Sequence, residues 1–197
     1  VQLDFLLERF TLFKKEGINT CIDTSGAPFT REHIWFSKFE RLMSLTDLLL
    51  VDIKHIRPEE HIRLTGSSNE RIIDLFRYLD SIQKPIWIRH VLVPGISDND
   101  TYLSETATFI KTLSNVERVE ILPYHTLGAA KYKELGIPYP LEGVPSPTAE
   151  RVQNARRILE AESYSKWKEQ AAFASRGKAN AIVRSAPGRG VDRKSVV

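Results

Sequence analysis

Four apolar runs along the chain each end in a cluster of polar residues. They occupy residues 20–26, 48–55, 86–90 and 119–125, and between them lie stretches long enough for a helix. Continuous apolar runs are typical of parallel strands that are buried on both faces. In parallel sheets and barrels, chemistry gathers at the carboxyl ends of the strands. The pattern therefore predicts an α/β fold, a β/α sheet or barrel with Asp, Lys, Arg and His side chains at one rim.

The segments between the runs carry apolar side chains at helical spacing. This predicts helices over about 2–16, 31–45, 70–83, 101–113 and 149–162, with a short one beginning at Pro58. We expect Thr30, Asn69 and Thr148 to act as N-caps, because their side-chain oxygens can accept from free helix N–H groups. Residues 126–147 are rich in Gly and Pro and predict a loop.

Length and composition favour one domain with a packed core. The chain has 197 residues, 42% of them hydrophobic, and no apolar run approaches the roughly 18 residues of a membrane span. The single cysteine, Cys21, excludes internal disulfides and any multi-cysteine metal site made by this chain alone. It fits a reducing compartment, the cytoplasm. Because the chain opens with Val1 and reads at once as a helix, we expect sequence to be missing upstream.

The net charge of +3 is unevenly distributed. Residues 166–197 carry +6 and the rest of the chain carries −3. The basic segment is rich in Gly, Ser, Ala and Arg, a composition that predicts a disordered tail after a domain of residues 1–165. A basic nucleic-acid-binding module is one interpretation. We disfavour it because the tail lacks the interleaved aromatic residues of single-strand binders, and we expect no membrane or nucleic-acid partner.

Asp23 and Thr24 follow the first run and precede a turn at Gly26. A carboxylate, a hydroxyl and freed backbone groups can hold a small cation or orient a ligand amine. The alternative is that Asp23 only makes an Asx-turn.

Two further strand ends carry charges that need partners. Asp52 and Lys54 are two residues apart and so point to one face, either as part of a site or as a salt bridge. Arg89 lies inside an apolar strand, where a charge requires a counter-charge. It can clamp a ligand carboxylate through two hydrogen bonds, and a neighbouring Asp would serve equally.

The histidines divide into one candidate and four others. His125 ends the last run and can donate to a ligand or act as an acid or base, although a purely structural role is the alternative. His90 lies on the face opposite to Arg89, where we expect it to meet solvent or a helix. We predict that His33, His55 and His61 are surface residues.

Several longer stretches are typical of one known family. They are GINTCIDTSG (17–26), TDLLLVDIKH (46–55), HIRLTGSSNERII (61–73), PIWIRHVLVPGISDND (85–100) and VERVEILPYHTLGAAKYKELGIPYPLEG (116–143). The order and spacing of these stretches are more specific than any single motif. On these stretches the chain resembles the pyruvate formate-lyase activating enzymes, glycyl-radical activases of the radical S-adenosylmethionine superfamily.

The resemblance implies a partial parallel (β/α) barrel of the radical S-adenosylmethionine type. In this family a 4Fe-4S cluster reductively cleaves S-adenosylmethionine to a 5′-deoxyadenosyl radical. That radical abstracts hydrogen from a glycine of the partner enzyme, pyruvate formate-lyase. An activase for a different glycyl-radical enzyme is the alternative, because the choice of client depends on surface loops.

The same resemblance implies roles for seven residues. It assigns four to a monovalent-cation site beside the methionine carboxylate: Asp23, Thr24, Asp52 and, through its backbone carbonyl, Leu50. It assigns three to contacts with S-adenosylmethionine: Lys54, Arg89 and His125.

Two family features are absent from this sequence. The CxxxCxxC loop, whose three thiolates bind the cluster, and the GGEP strand, which holds the methionine amine, do not occur. Cys21 lies in a predicted strand and is not one of those ligands. We therefore expect a barrel that lacks its first strands, and a chain that is inactive in radical chemistry by itself.

Overall fold

Four parallel strands form one sheet in the part of the chain that the structure describes. A computed structural model describes residues 2–165. The strands follow one another across the sheet in chain order, β1-β2-β3-β4. This order is that of a sheet wound in one direction, as in a barrel. The strands are β1 Cys21–Thr24, β2 Leu48–Asp52, β3 Ile86–Leu92 and β4 Val116–Pro123.

Helices connect the strands, as predicted. They are α1 Leu3–Lys15, α2 His33–Ser44, α3 Pro58–Thr65, α4 Glu70–Ser81, α5 Asp100–Ile110, α6 Ala129–Glu134 and α7 Ala149–Ile158, with 3-10 turns at Thr126–Gly128 and Ala161–Ser163. The prediction of a loop over 126–147 was wrong in part, because it contains α6. The Ala, Lys and Glu residues of that segment favour helix, and Gly136 ends it with a positive φ of 64°.

The predicted N-caps have three outcomes. Thr148 caps α7 as expected, since its Oγ1 accepts from the N–H of Arg151 at 3.2 Å. Thr30 does not cap α2, because that helix begins three residues later, after Glu32. Asn69 stands at the N-cap position of α4 without a capping bond, and its amide donates instead to backbone carbonyls in the loop after β2.

The hydrophobic core lies on one face of the sheet. Strand β3 alternates between buried and half-buried residues along its whole length. Side chains such as Val51 and Ile88 are fully buried and join one cluster with apolar residues of the helices, among them Phe76 and Leu103. Because successive right-handed crossovers in one direction place helices on the same side, the other face is left partly open.

The prediction that the strands are buried on both faces was therefore wrong. We call the second face the open face. The strands read as continuously apolar because half-buried Leu48, Leu50 and Trp87 lie on it beside charged residues. The residues of this face used below are Asp23, Leu50, Asp52, Trp87, Arg89, Arg118 and Glu120.

Within residues 2–165, none of the helices has the length and apolar character needed to cross a bilayer. The basic segment 166–197, predicted as a tail and as the basis of the nucleic-acid hypothesis, lies outside the described residues.

Candidate ligand site on the open face of the sheet

Arg89 is held by two carboxylates on its β1 and β2 side. Its Nη1 donates to Oδ2 of Asp23 at 2.9 Å, and its Nη2 donates to the other carboxylate oxygen of Asp23. Its Nε donates to Oδ1 of Asp52 at 3.0 Å. A single guanidinium thus joins the ends of β1 and β2 from β3, using the planar fork that suits carboxylates.

Asp52 is the shared partner of both cations at this edge. Its second oxygen, Oδ2, lies 2.9 Å from Nζ of Lys54, and its side chain is only 12% exposed. The side chain of Asp23 is 60% exposed by contrast. Two carboxylates and two cations therefore form a neutral group that we call the charge cluster: Asp23, Asp52, Lys54 and Arg89.

Register explains why these residues meet. Asp52 pairs with Arg89 between β2 and β3, and Asp23 pairs with Leu50 between β1 and β2. Residues two apart on a strand share a face, so the strand ends bring their charges to one edge. Asp52 and Lys54 do form the salt bridge that the sequence left open, and Arg89 does find neighbouring Asp partners. Their roles toward a ligand stay predictions.

The electrostatic environment keeps the Arg89 guanidinium charged and the nearby Cys21 thiol protonated. Burial opposes the charge on Arg89, but the carboxylates of Asp52 and Asp23 outweigh it and raise the pKa of the guanidinium. Burial, together with the negative charge of Asp23, raises the pKa of the Cys21 thiol. Cys21 is therefore not activated as a thiolate ligand or nucleophile.

Thr24 and Leu50, the other two residues of the predicted cation site, do not contact the charge cluster through their side chains in the hydrogen bonds described. Thr24 follows Asp23 on the strand and so faces the core side, where its Oγ1 accepts from the N–H of Gly26 at 3.0 Å. Leu50 lies between β1 and β3, so its carbonyl belongs to the sheet ladder and only a second lone pair remains for a cation. Their places in a cation site stay predictions.

His125 lies at the carboxyl end of β4 and is exposed, immediately before the 3-10 turn Thr126–Gly128. In the part of the chain that the structure describes, no hydrogen bond joins it to the charge cluster. Its contact with a ligand remains a prediction.

Two of the predicted surface histidines are buried. His55 and His61 are 2% and 3% exposed, so their prediction was wrong, whereas His33 is exposed as expected. Nδ1 of His55 accepts from the backbone N–H of Arg57 at 3.1 Å. The ring lies 4.6 Å from that of Tyr102. Burial lowers the pKa of His55 and favours its neutral form.

His90 meets backbone carbonyls and not solvent. Its Nδ1 lies 2.8 Å from the carbonyl oxygen of Ile53, and its Nε2 lies 3.3 Å from that of Ser97. Burial lowers the pKa of His90. In the neutral form the ring has one N–H and donates to one of these two carbonyls, so His90 lies between the loop that carries Lys54 and the loop after β3.

Sequence reasoning missed two charged residues on the open face. Nη2 of Arg118 lies 2.7 Å from Oε1 of Glu120, and the Arg118 guanidinium lies 4.7 Å from the centre of the Trp87 ring. The alternation of charged and apolar residues over 118–121 (Arg, Val, Glu, Ile) was the available signal, since it places Arg118 and Glu120 on one face.

Comparison with curated proteins decides the family. The chain is 50% identical over 170 residues to a pyruvate formate-lyase-activating enzyme of Streptococcus mutans, covering 86% of this chain. It is 51% identical over 164 residues to the enzyme of that name from Listeria monocytogenes. The chain belongs to the pyruvate formate-lyase-activating enzyme family. It spans 65% of the length of the Streptococcus relative and 66% of the Listeria one.

Solved structures confirm the predicted fold class. A domain of pyruvate-formate lyase-activating enzyme from Bacteroides vulgatus matches 80% of this chain with a TM-score of 0.64 at 22% identity. Coproporphyrinogen III oxidase from Escherichia coli, a radical SAM enzyme, matches 89% with a TM-score of 0.53 at 12% identity. No protein-family model matches the chain.

The donor groups of this chain fit one of the two cofactors that the family implies. A 4Fe-4S cluster takes three thiolates in the family, and this chain has one cysteine, so its residues do not fit that cluster. Residues 2–165 also contain no group of three or more His, Cys, Asp or Glu arranged to hold a metal ion. The charge cluster, which offers both signs, fits the zwitterionic amino-acid end of S-adenosylmethionine.

Proposed function

We propose that this chain is the S-adenosylmethionine-binding part of a pyruvate formate-lyase-activating enzyme. The observation that carries the proposal is the charge cluster at the carboxyl edge of the sheet, on a chain about half identical to enzymes of that name. Ligands of parallel α/β folds bind at this edge.

In this proposal the charge cluster exchanges its internal pairs for ligand pairs. Arg89 and Lys54 supply N–H donors to the methionine carboxylate. Asp23 and Asp52 are then free to hold a monovalent cation or the methionine ammonium. The exchange is easiest at Asp23, because its side chain is 60% exposed and its pairing with Arg89 is weakened by water.

Three residues complete the proposed site. Thr24 and the carbonyl of Leu50 add oxygen ligands for the cation. His125, exposed at the end of β4, donates to the ligand from the far side of the edge. Thr24 would have to turn toward the open face and release its hydrogen bond with the N–H of Gly26.

The reductive cleavage performed by the family requires an iron–sulfur cluster, for which this chain has no thiolate set. We therefore assign ligand binding to this chain, and no radical step. We propose pyruvate formate-lyase as the client of the whole enzyme, since the relatives are named for it. The cytoplasm is the proposed compartment, supported by the single free cysteine.

Isothermal titration calorimetry with S-adenosylmethionine in potassium buffer tests the proposal. We expect Arg89→Met to weaken binding by at least about tenfold, because it removes a two-bond clamp on the carboxylate. The matched control is Arg31→Met, which removes another bidentate Arg–Asp pair, with Asp74, away from the open face. Equal effects of the two variants, or no binding by the unaltered chain, would contradict the proposal.

A further inference from the structure

Arg89 has acidic neighbours on both sides. It pairs in register with Asp52 on β2 and with Glu120 on β4, and all three residues lie on the open face. Side chains at paired positions of adjacent strands are within mutual reach. Arg89 nevertheless directs its whole guanidinium toward the β1 and β2 side, where it contacts Asp52 and Asp23.

Glu120 is occupied by a second arginine on its own strand. Arg118 lies two residues earlier on β4, and its Nη2 is 2.7 Å from Oε1 of Glu120. The side chains of this pair are 29% and 22% exposed, so water only partly screens their attraction. The Arg118 guanidinium also lies over the Trp87 ring, which fixes its position beside Glu120.

We propose that Arg118 is a positioning residue that directs Arg89 toward the ligand site. It neutralises Glu120, and so removes the carboxylate that would otherwise draw Arg89 toward β4. Arg89 then keeps its donors at the edge where, in the function proposed above, it meets the methionine carboxylate. The inference rests on that function for its purpose, but the choice of partner by Arg89 is a property of the ligand-free chain.

The partner choice is tested first without any ligand. In a chain labelled with ¹⁵N-arginine, the Nε–H signal of Arg89 is identified by its loss in Arg89→Met. We expect Arg118→Met to shift this signal as Arg89 turns to Glu120, while the Met side chain keeps contact with Trp87. The double variant Arg118→Met with Glu120→Gln should return the signal to its original position, because the competing charge is gone.

The consequence for binding is tested second, by calorimetry with S-adenosylmethionine. We expect Arg118→Met to weaken binding by about tenfold, the equivalent of roughly one charge-assisted hydrogen bond. The double variant should recover most of the affinity. A merely structural role of Arg118 predicts that the double variant is no better than Arg118→Met.

The two assays separate the inference from the proposed function. If the unaltered chain binds no S-adenosylmethionine, the function fails, and the Arg89 signal still decides the inference. If the signal stays in place in Arg118→Met, or does not return in the double variant, the inference is overturned. Should Arg118→Met fail to fold by circular dichroism, Arg118→Gln, which also removes the positive charge beside Glu120, serves in its place, with a shift expected in the same direction.

Discussion

Replacing Asp52 by Asn should destabilise the fold far more than the same change at Asp23. Both residues are carboxylate partners of Arg89. Asp52 is 12% exposed and also holds Lys54, whereas Asp23 is 60% exposed. Burial should therefore decide the outcome, since screening by water removes most of the value of an exposed ion pair.

The expected magnitude follows from the contacts of Asp52. Asparagine keeps an oxygen for Nε of Arg89, so the acceptor of that bond becomes neutral while the donor stays charged, and the bond loses about 1 kcal/mol. The contact with Nζ of Lys54, 2.9 Å long, loses its charge and costs about 1.5 kcal/mol more. The sum is about 2–3 kcal/mol for Asp52→Asn, against about 0.5 kcal/mol for Asp23→Asn.

Urea unfolding followed by circular dichroism at pH 7 measures both variants. A loss of 2–3 kcal/mol should lower the midpoint by roughly 1 M urea, and Asp23→Asn should move it by much less. The double variant Asp52→Asn with Lys54→Met should recover part of the loss, because it removes the cation that Asp52→Asn leaves without its carboxylate partner. Equal midpoints for the two single variants would refute the reasoning from burial.

Three further predictions concern capping, pH and metal. Thr148→Ala should lower the free energy of unfolding by about 1 kcal/mol, and Thr30→Ala, which loses no helix cap, by less than about 0.5 kcal/mol in the same urea assay. Burial lowers the pKa of His90, so below pH 6.5 the unfolded chain binds a proton that the folded chain does not bind. The free energy of unfolding should therefore be constant with respect to His90 above pH 6.5 and decrease below it. In urea melts from pH 8 to 5, His90→Gln should flatten that slope, and an unchanged slope would contradict the reasoning. Anaerobic reconstitution with iron and sulfide should give no cluster absorption band and no deoxyadenosine from S-adenosylmethionine, because Cys21 is the single thiol, and the appearance of both would contradict this.

The strands were predictable because their pattern is local. Runs such as Leu48–Asp52 carry four apolar residues and then a charge, which marks both the strand and its end. The pairing of Asp52 with Arg89 follows once parallel order is assumed, since strand ends then share an edge. The sequence could not show that one face is open, because apolar residues such as Leu50 and Trp87 are compatible with a half-buried position and with a fully buried one.

The failures concern residues whose surroundings come from distant parts of the chain. His55 appeared to be a surface residue, yet the ring of Tyr102 covers it and Asn69 fixes its carbonyl. Asn69 was predicted as a cap from its position, but its side-chain amide donates to the carbonyl of Ile56 in the loop after β2. Helix α6 was hidden by the Gly and Pro residues around it, although Ala129–Glu134 has strong helix formers.

Chain-order pairing of the strands has a consequence for how the molecule opens. Each strand hydrogen-bonds only to the strands that precede and follow it in sequence, so β1 and β4 each have one partner in the described residues. Local opening can then proceed inward from either side, as in stacked repeats that depend on nearest neighbours. Amide hydrogen exchange should be slowest in β2 and β3, which places Asp52 and Arg89 in the last part of the sheet to open.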